Sequence, residues 1–189
     1  MTNVIKRCGD LGVDYYITHL GSTGQKVSKE KVVIELEKAC TRILESVNPK
    51  VKTKLLLETS PGSSSGTKVG TLEELLEVRQ SLKSERVGIC LDTEHAFANG
   101  LDLNQLDLDE IGSKIDVVHL NSIPEAVELN SHLDRHGKTA LKDSKNSVIE
   151  SLKRITCYFN SRDVPLILER SGKKIIEKDL QYLVEICTC

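Results

Sequence analysis

Five apolar runs in this chain each carry a histidine or a carboxylate at or near their carboxyl ends. VDYYITH (13–19) ends in His19, KLLLET (54–59) carries Glu58, and VGICLDT (87–93) carries Asp92. DVVHLN (116–121) carries His119 and PLILER (165–170) carries Glu169. One such residue after one apolar run is ordinary; five of five, all able to ligate a metal, form a pattern. His95 follows three residues after Asp92, and the tripeptide DRH places Asp134 and His136 two apart, so that an extended segment points both to one side. The candidate ligands are therefore His19, Glu58, Asp92, His95, His119, Asp134, His136 and Glu169. Imidazoles and carboxylates without thiolates suit Zn²⁺, Mn²⁺ or Fe. Eight ligands exceed the needs of one ion and fit two or three with bridging carboxylates. Clusters of that kind clamp the attacking and leaving oxygens in phosphoryl chemistry.

The elements that must position these residues can be read from the same runs. They are nearly continuous in apolar residues, as in parallel strands covered on both faces. Helical patterns lie between them. One is expected near Asn3–Cys8. Another spans Ser28–Ser46, with Val32, Leu36, Ala39, Cys40 and Ile43 on one face. Thr71 and Glu74 have capping-box spacing ahead of LEELLEVRQSL. Val148, Ile149, Leu152, Ile155 and Phe159 form a further stripe, as do Ile176, Leu180, Leu183 and Val184. Strands alternating with helices predict a parallel α/β sheet in a single domain, 1–189, in which loops after strands carry the chemistry. The longest such loops are 59–70 and 122–146.

Composition narrows the function classes. Lys and Arg number 26 against 28 Asp and Glu, so no global basic field announces a nucleic-acid partner, and any such contact is local or assisted by bound cations. The six cysteines form no CxxC pair, and neither a secretory signal nor a membrane-length apolar run is present. These features predict reduced thiols and a cytoplasmic or nuclear place, not secretion or a membrane; the closing CTC reads as a tail. SPGSSSG (60–66) could offer backbone N–H groups to a phosphate or serve as a plain loop. Arg135 and Arg170 stand open between a phosphate contact and an acid partner. Strand alternation turns Glu94 away from the site, and His132 reads as loop.

Five motifs, in order, resemble the endonuclease IV family of apurinic/apyrimidinic endonucleases: LLLETSPGSSSG, VGICLDTEHAFANGLDL, HLNS, HLDRHG and PLILERSG. The resemblance runs from about Val13 to Glu185. It implies a TIM (β/α) barrel, here incomplete, with about five C-terminal β/α units of eight. It also implies up to three Zn²⁺ ions, two of whose sites look complete here, with Mn²⁺ as a substitute. The implied reaction is cleavage of double-stranded DNA on the 5′ side of an abasic site, in base excision repair, by a metal-activated water. By motif, Glu58 would bridge two ions, and Asp92, His119 and Glu169 would complete the second. His95, Asp134 and His136 would hold the third, and His19 the first. Glu58, Asp92 and Glu169 are the implied catalytic carboxylates.

The departures are specific. The family's first three strands have no counterpart, nor has one further histidine of the first ion site, and the expected sheet has two exposed apolar edges, at Val13–His19 and Val164–Glu169. Ser122 stands where the family has an acid after HLN, and GKTALKDS replaces a glycine-rich segment after DRH. A missing N-terminal portion or a second copy completing the barrel would restore the wall. The competing readings are a metal-dependent sugar isomerase-like barrel and a non-catalytic fragment of the endonuclease.

Overall fold

Strands that are apolar on both faces need cover on both sides, and the chain supplies it by two different means. The computed structural model describes residues 1–20, 27–62 and 69–187, together with the backbone of Ser22–Thr23 and Thr67–Lys68. In chain order the elements are α1 (Thr2–Asp10), β1 (Tyr15–His19), β2 (Ser22–Thr23), α2 (Lys29–Ser46), β3 (Lys54–Glu58), β4 (Thr67–Lys68) and α3 (Leu72–Leu82). They continue with β5 (Val87–Asp92), α4 (Thr93–Ala98), α5 (Leu108–Ile111), β6 (Val117–His119), α6 (Asn146–Asn160), β7 (Leu166–Ile167) and α7 (Lys173–Cys187). The main sheet runs β1-β3-β5-β6-β7 and every ladder in it is parallel; β2 and β4 form a small antiparallel pair.

Register sets which residues share a face. His19 lies level with Glu58, Glu58 with Cys90, and Cys90 with Val117. Asp92 lies level with His119, and His119 with Ile167. By the two-residue period of a strand, Ile17, Leu56, Cys90 and Val117 therefore lie on the face of the candidate ligands, one layer below His19, Glu58, Asp92 and His119, with Tyr15 one layer below Ile17. The opposite face carries Leu55, Leu57, Ile89, Leu91 and Val118, which join the core shared with helix residues such as Leu75, Val78, Leu152 and Ile155.

The ligand-bearing face has its own small apolar cluster of Leu56, Cys90 and Val117, with Tyr15 and Ile17 packed against it. These three residues are 0–1% exposed although the cluster draws on strands alone. Such burial requires the sheet to curl around them. Close approach helps at the base of the curl: a Cβ on Gly88 would collide with the Asp116 carboxylate and the Leu56 side chain. Asp116 uses that space to accept the Ile89 N–H at 3.1 Å and to pair with Lys54 at 3.0 Å.

The helices largely follow the sequence patterns, although Ala39 of the expected α2 stripe is exposed and α7 departs further. Ser28 N-caps α2 and Thr71 N-caps α3 through a complete capping box with Glu74. In α6, Val148, Leu152, Ile155 and Phe159 are buried. In α7 the expected apolar stripe divides. Leu183 packs on the core, whereas Ile176, Leu180 and Val184, spaced four apart, are 38%, 53% and 64% exposed. The buried residue of α7 is Asp179, so a polar anchor docks this helix together with Leu183. Val13 and Ile167, one at each end of the sheet, are also exposed, as expected for free edges.

Candidate metal centre

Beyond the last ladder bonds, two threonines keep the strand ends in step. Thr59 Oγ1 accepts the Asp92 N–H at 2.8 Å and donates to the Asp92 carbonyl at 3.2 Å. Thr93 Oγ1 does the same one strand further on, accepting from Asn121 N at 2.9 Å and donating to Asn121 O at 2.6 Å. Asp92 then ends β5 by N-capping α4: its Oδ1 accepts the His95 N–H at 2.9 Å. The turn from strand to helix delivers Asp92 and His95 to one place.

The first cluster converges on His119. Its Nδ1 lies 2.8 Å from Glu58 Oε1, 3.2 Å from Glu169 Oε2 and 3.9 Å from Asp92 Oδ2. Glu58, Asp92, His119 and Glu169 each offer a ligand atom, and these atoms all lie within 4.8 Å of one another. Glu58, Asp92 and His119 are buried, so the carboxylates repel one another where water screens little. Burial works against a charged imidazole, but contacts with Cys90, Glu169 and Glu58 push the pKa of His119 up to about 12. Its hydrogen bond to His119 carries Glu169 down to about 2, against the effect of burial. Burial raises the pKa of Asp92. The cluster thus favours positive charge among its carboxylates. A divalent ion fits that demand better than a proton, because it answers several carboxylates at once.

Cys90 lies directly below. With Glu58 and His119 it forms another close group of ligand type, which the reading of the sequence without thiolates did not include. Burial pushes its thiol up to about 11, which keeps it protonated and unlike a thiolate ligand.

The second cluster is built on His95. Its Nδ1 lies 3.2 Å from the Thr59 carbonyl, an acceptor, so the neutral ring carries its proton there and leaves Nε2 as a bare acceptor. Among the described residues that buried Nε2 has no hydrogen-bond partner; it faces Asp134 Oδ2 at 3.5 Å. Asp134 Oδ1 lies 2.8 Å from His136 Nδ1, and the His95 and His136 rings meet edge-on with centroids 5.1 Å apart. An unpartnered buried imidazole nitrogen beside a carboxylate and a second imidazole fits a metal donor set. Two contacts tie the clusters together. His136 Nε2 is 3.9 Å from Glu169 Oε2, and Asp92, His95 and His136 form a close group of their own.

His19 completes a third group with Glu58 and His95; its Nε2 is 3.3 Å from Glu58 Oε2. Glu58 therefore turns one oxygen toward His19 and the other toward His119, the disposition a bridging carboxylate needs. All eight sequence candidates lie in this connected arrangement.

Several expectations need correction or completion. Glu94 does not turn away into solvent: it is fully buried, and its Oε1 accepts the Arg135 backbone N–H at 2.6 Å. The chain has already entered α4 at Glu94, so strand alternation no longer applies. Arg170 takes an acid partner: Nε donates to Asp179 at 2.5 Å, with both side chains fully buried. The Arg135 side chain is exposed, with no ion-pair partner among the described residues. His132 is loop, its Nδ1 3.0 Å from the Pro61 carbonyl. Ser122, the residue in place of an acid, donates to the Thr139 carbonyl at 2.7 Å and so braces the loop after DRH. Of SPGSSSG, residues 63–66 lie outside the described residues, as do Thr188 and Cys189 of the closing CTC. Asn121 was missed altogether: its Nδ2 donates to Asp92 Oδ2 at 2.7 Å and to Glu169 Oε2 at 2.9 Å.

Comparison with known proteins bears on this geometry. Residues 1–186 match the model of the xylose isomerase-like TIM barrel family. The probable endonuclease 4 of Mycoplasmopsis pulmonis (strain UAB CTIP) is 33% identical over 196 residues, covering 98% of this chain and 68% of that protein. The probable endonuclease 4 of Methanoculleus marisnigri (strain ATCC 35101 / DSM 1498 / JR1) is 39% identical over 147 residues, covering 70% and 49%. The crystal structure of endonuclease IV from Thermus thermophilus superposes with a TM-score of 0.73 at 24% identity, covering 99% of this chain and 66% of that one. The chain thus spans from about half to about three fifths of the length of several curated relatives it matches. With five parallel strands, candidate ligands at their carboxyl ends and these matches, the chain belongs to the xylose isomerase-like TIM barrel family, among the relatives named endonuclease 4.

Proposed function

We propose that this chain, as one partial-barrel domain over 1–189, forms the metal-bearing part of a DNA phosphodiesterase that cuts the backbone 5′ to an abasic site, in base excision repair. The observation that carries this reading is the linkage of two clusters. Glu58, Asp92, His119 and Glu169 form one, and His95, Asp134 and His136 form the other, 3.9 Å away at Glu169. A linked pair suits a scissile phosphate, whose attacking and leaving oxygens both need stabilising. Zn²⁺ is the ion we assign to the imidazole-carboxylate sets, up to three per complete site with His19 in the first, and Mn²⁺ can substitute. Bound there, such ions supply Lewis acidity and a nucleophilic water near neutral pH.

The chain's own residues do the rest. Glu58 spans the two sides of the site through its two oxygens. Asp92 and Glu169 hold negative charge where a cation must sit, and the Thr59 carbonyl fixes the tautomer of His95. The exposed Arg135 stands beside the ligand loop, where a backbone phosphate of duplex DNA can meet it. A DNA substrate implies a cytoplasmic or nuclear place; no described helix is long and apolar enough to cross a membrane.

Five strands leave a barrel of eight open between β7 and β1. We assign the closing wall to an N-terminal portion carrying three β/α units, with a second copy of this chain as the other source. The exposed Val13, Ile167 and the α7 stripe of Ile176, Leu180 and Val184 are the apolar surface such a wall would cover. A sugar isomerase-like reading finds support in the family itself, because such barrels also gather Glu, Asp and His at strand ends around two divalent ions. The second cluster is what that reading leaves unused.

The test is incubation of the chain with zinc and a duplex holding one abasic site, alone and with the first three β/α units of an endonuclease 4 relative. A single nick 5′ to the lesion, leaving a 3′-hydroxyl, is the expected product. A folded, metal-loaded and wall-completed protein that leaves the duplex intact while converting a sugar would favour the isomerase reading.

A further inference from the structure

Asn121 sits between the ligand carboxylates and a buried ion pair, and its orientation is dictated. On one side Arg170 Nη1 donates to Asn121 Oδ1 at 2.7 Å. A guanidinium has donors alone, so the amide oxygen must face it. The amide NH₂ is thereby turned to the other side, where it reaches Asp92 Oδ2 and Glu169 Oε2. Those are the same carboxylate atoms that approach His119 Nδ1. Arg170 is itself fixed. Its Nε donates to Asp179 Oδ2, its Nη1 also reaches the Glu169 carbonyl at 3.3 Å, and its Nη2 the Leu120 carbonyl at 3.3 Å. The second oxygen of Asp179 accepts the Leu141 N–H at 2.7 Å, which ties α7 to the loop after DRH.

We propose that Asn121, oriented by the Arg170–Asp179 pair, is a positioning residue that holds Asp92 and Glu169 together in the geometry that binds the ion of the first cluster. Two neighbouring carboxylates repel each other, and each has rotamers that point elsewhere. The amide hydrogens bridge them, and the Arg170 charge behind the amide offsets part of their repulsion. The ion therefore meets ligands already gathered. This rests on the metal reading above and extends it to three residues that need not touch the ion.

The experiment measures zinc affinity by competition with a chromophoric chelator, alongside zinc stoichiometry and the melting temperature of the metal-free chain. Asn121→Ala should weaken the tightest site by roughly 10- to 100-fold, the range found for outer-shell partners of metal ligands. Asn121→Asp, which keeps the shape and adds a fourth carboxylate to Glu58, Asp92 and Glu169 without the donor, should not restore it. The double variant Arg170→Met/Asp179→Leu replaces the buried pair with apolar side chains, a change that often preserves stability. It should fold and melt near the parent yet lose affinity, an outcome a merely structural pair would not give. Parent-like affinity in Asn121→Ala, or in a folded double variant, overturns the proposal; should the double variant not fold, Asn121→Ala decides. A parent chain that takes up no zinc instead overturns the metal reading, and the proposal with it.

Discussion

Glu94 accepts the backbone N–H of Arg135 at 2.6 Å, which ties the helix that Asp92 caps to the loop that carries Asp134 and His136. Burial pushes the Glu94 carboxyl up to about 7, against the pull of the Arg135 N–H. Its role needs only an acceptor at Oε1. Glu94→Gln should therefore keep the loop in place, and Glu94→Ala should release it. Metal analysis by mass spectrometry should find about one ion fewer per chain in the alanine variant and the parent count in the glutamine variant. Equal counts in all three would remove the anchoring role.

Asp92 combines two duties that substitution can separate. Asn is as good an N-cap as Asp, so Asp92→Asn should retain the start of α4 and fold normally while losing a carboxylate charge. Together with Glu169→Gln, it should lower incision of abasic DNA by about two orders of magnitude or more, the scale on which single electrostatic groups act in such sites. Circular dichroism and steady-state incision on the wall-completed protein measure both. Parent-like rates in the two variants would refute the assignment of these carboxylates.

The capping box of α3 gives a stability prediction with a pH signature. Thr71→Ala should cost about 1 kcal/mol. Glu74 has a depressed pKa: burial opposes its ionisation, but Lys29 and the N–H groups of Gly70 and Thr71 outweigh it. A depressed carboxylate contributes stability above its unfolded value of about 4.3, and loses it as the pH falls through the folded pKa. Urea denaturation of Glu74→Gln should therefore show a smaller loss between neutral pH and pH 3 than the parent shows. Identical acid limbs would contradict the shift.

The cysteines should divide by burial. Burial pushes Cys40 and Cys90 each up to about 11, and both are enclosed. Cys157 and Cys187 are exposed. A maleimide at neutral pH should label the exposed pair within minutes and reach Cys40 and Cys90 only on unfolding, as peptide mass spectrometry would show. Rapid labelling of Cys90 in folded protein would mean that the curled face opens readily.

Much of the site is legible because ligand identity and strand periodicity are local facts. His19, Glu58, Asp92, His119 and Glu169 each follow an apolar run, and a parallel sheet brings such ends together. Asn121 and Asp179 are harder to see because their roles depend on what lies across the fold. An asparagine after a strand reads as a turn, and only the Arg170 guanidinium behind it reveals its orientation. Asp179 left one signal: it is a charged residue three after Ile176 and four before Leu183, the spacing of the helix face that was expected to be apolar. Glu94 was misread because Asp92 ends the strand by capping a helix, so the period changes from two to 3.6 at that residue. The division of the α7 stripe was out of reach, since the pattern shows that residues are apolar and not which of two apolar groups meets the core.

The brevity of β7 bears on how copies of the chain behave in company. The two free edges of the sheet differ, so copies that joined through them would do so head to tail. The carbonyls of Ile167 in β7 and of Pro165 just before it are already taken by Leu120 and Val118, which leaves the backbone of Leu166 between them to face the open side. One residue is a poor template for a further strand. The stub thus offers a further strand little backbone to pair with, while Ile167 on it stays exposed for a matching wall to cover.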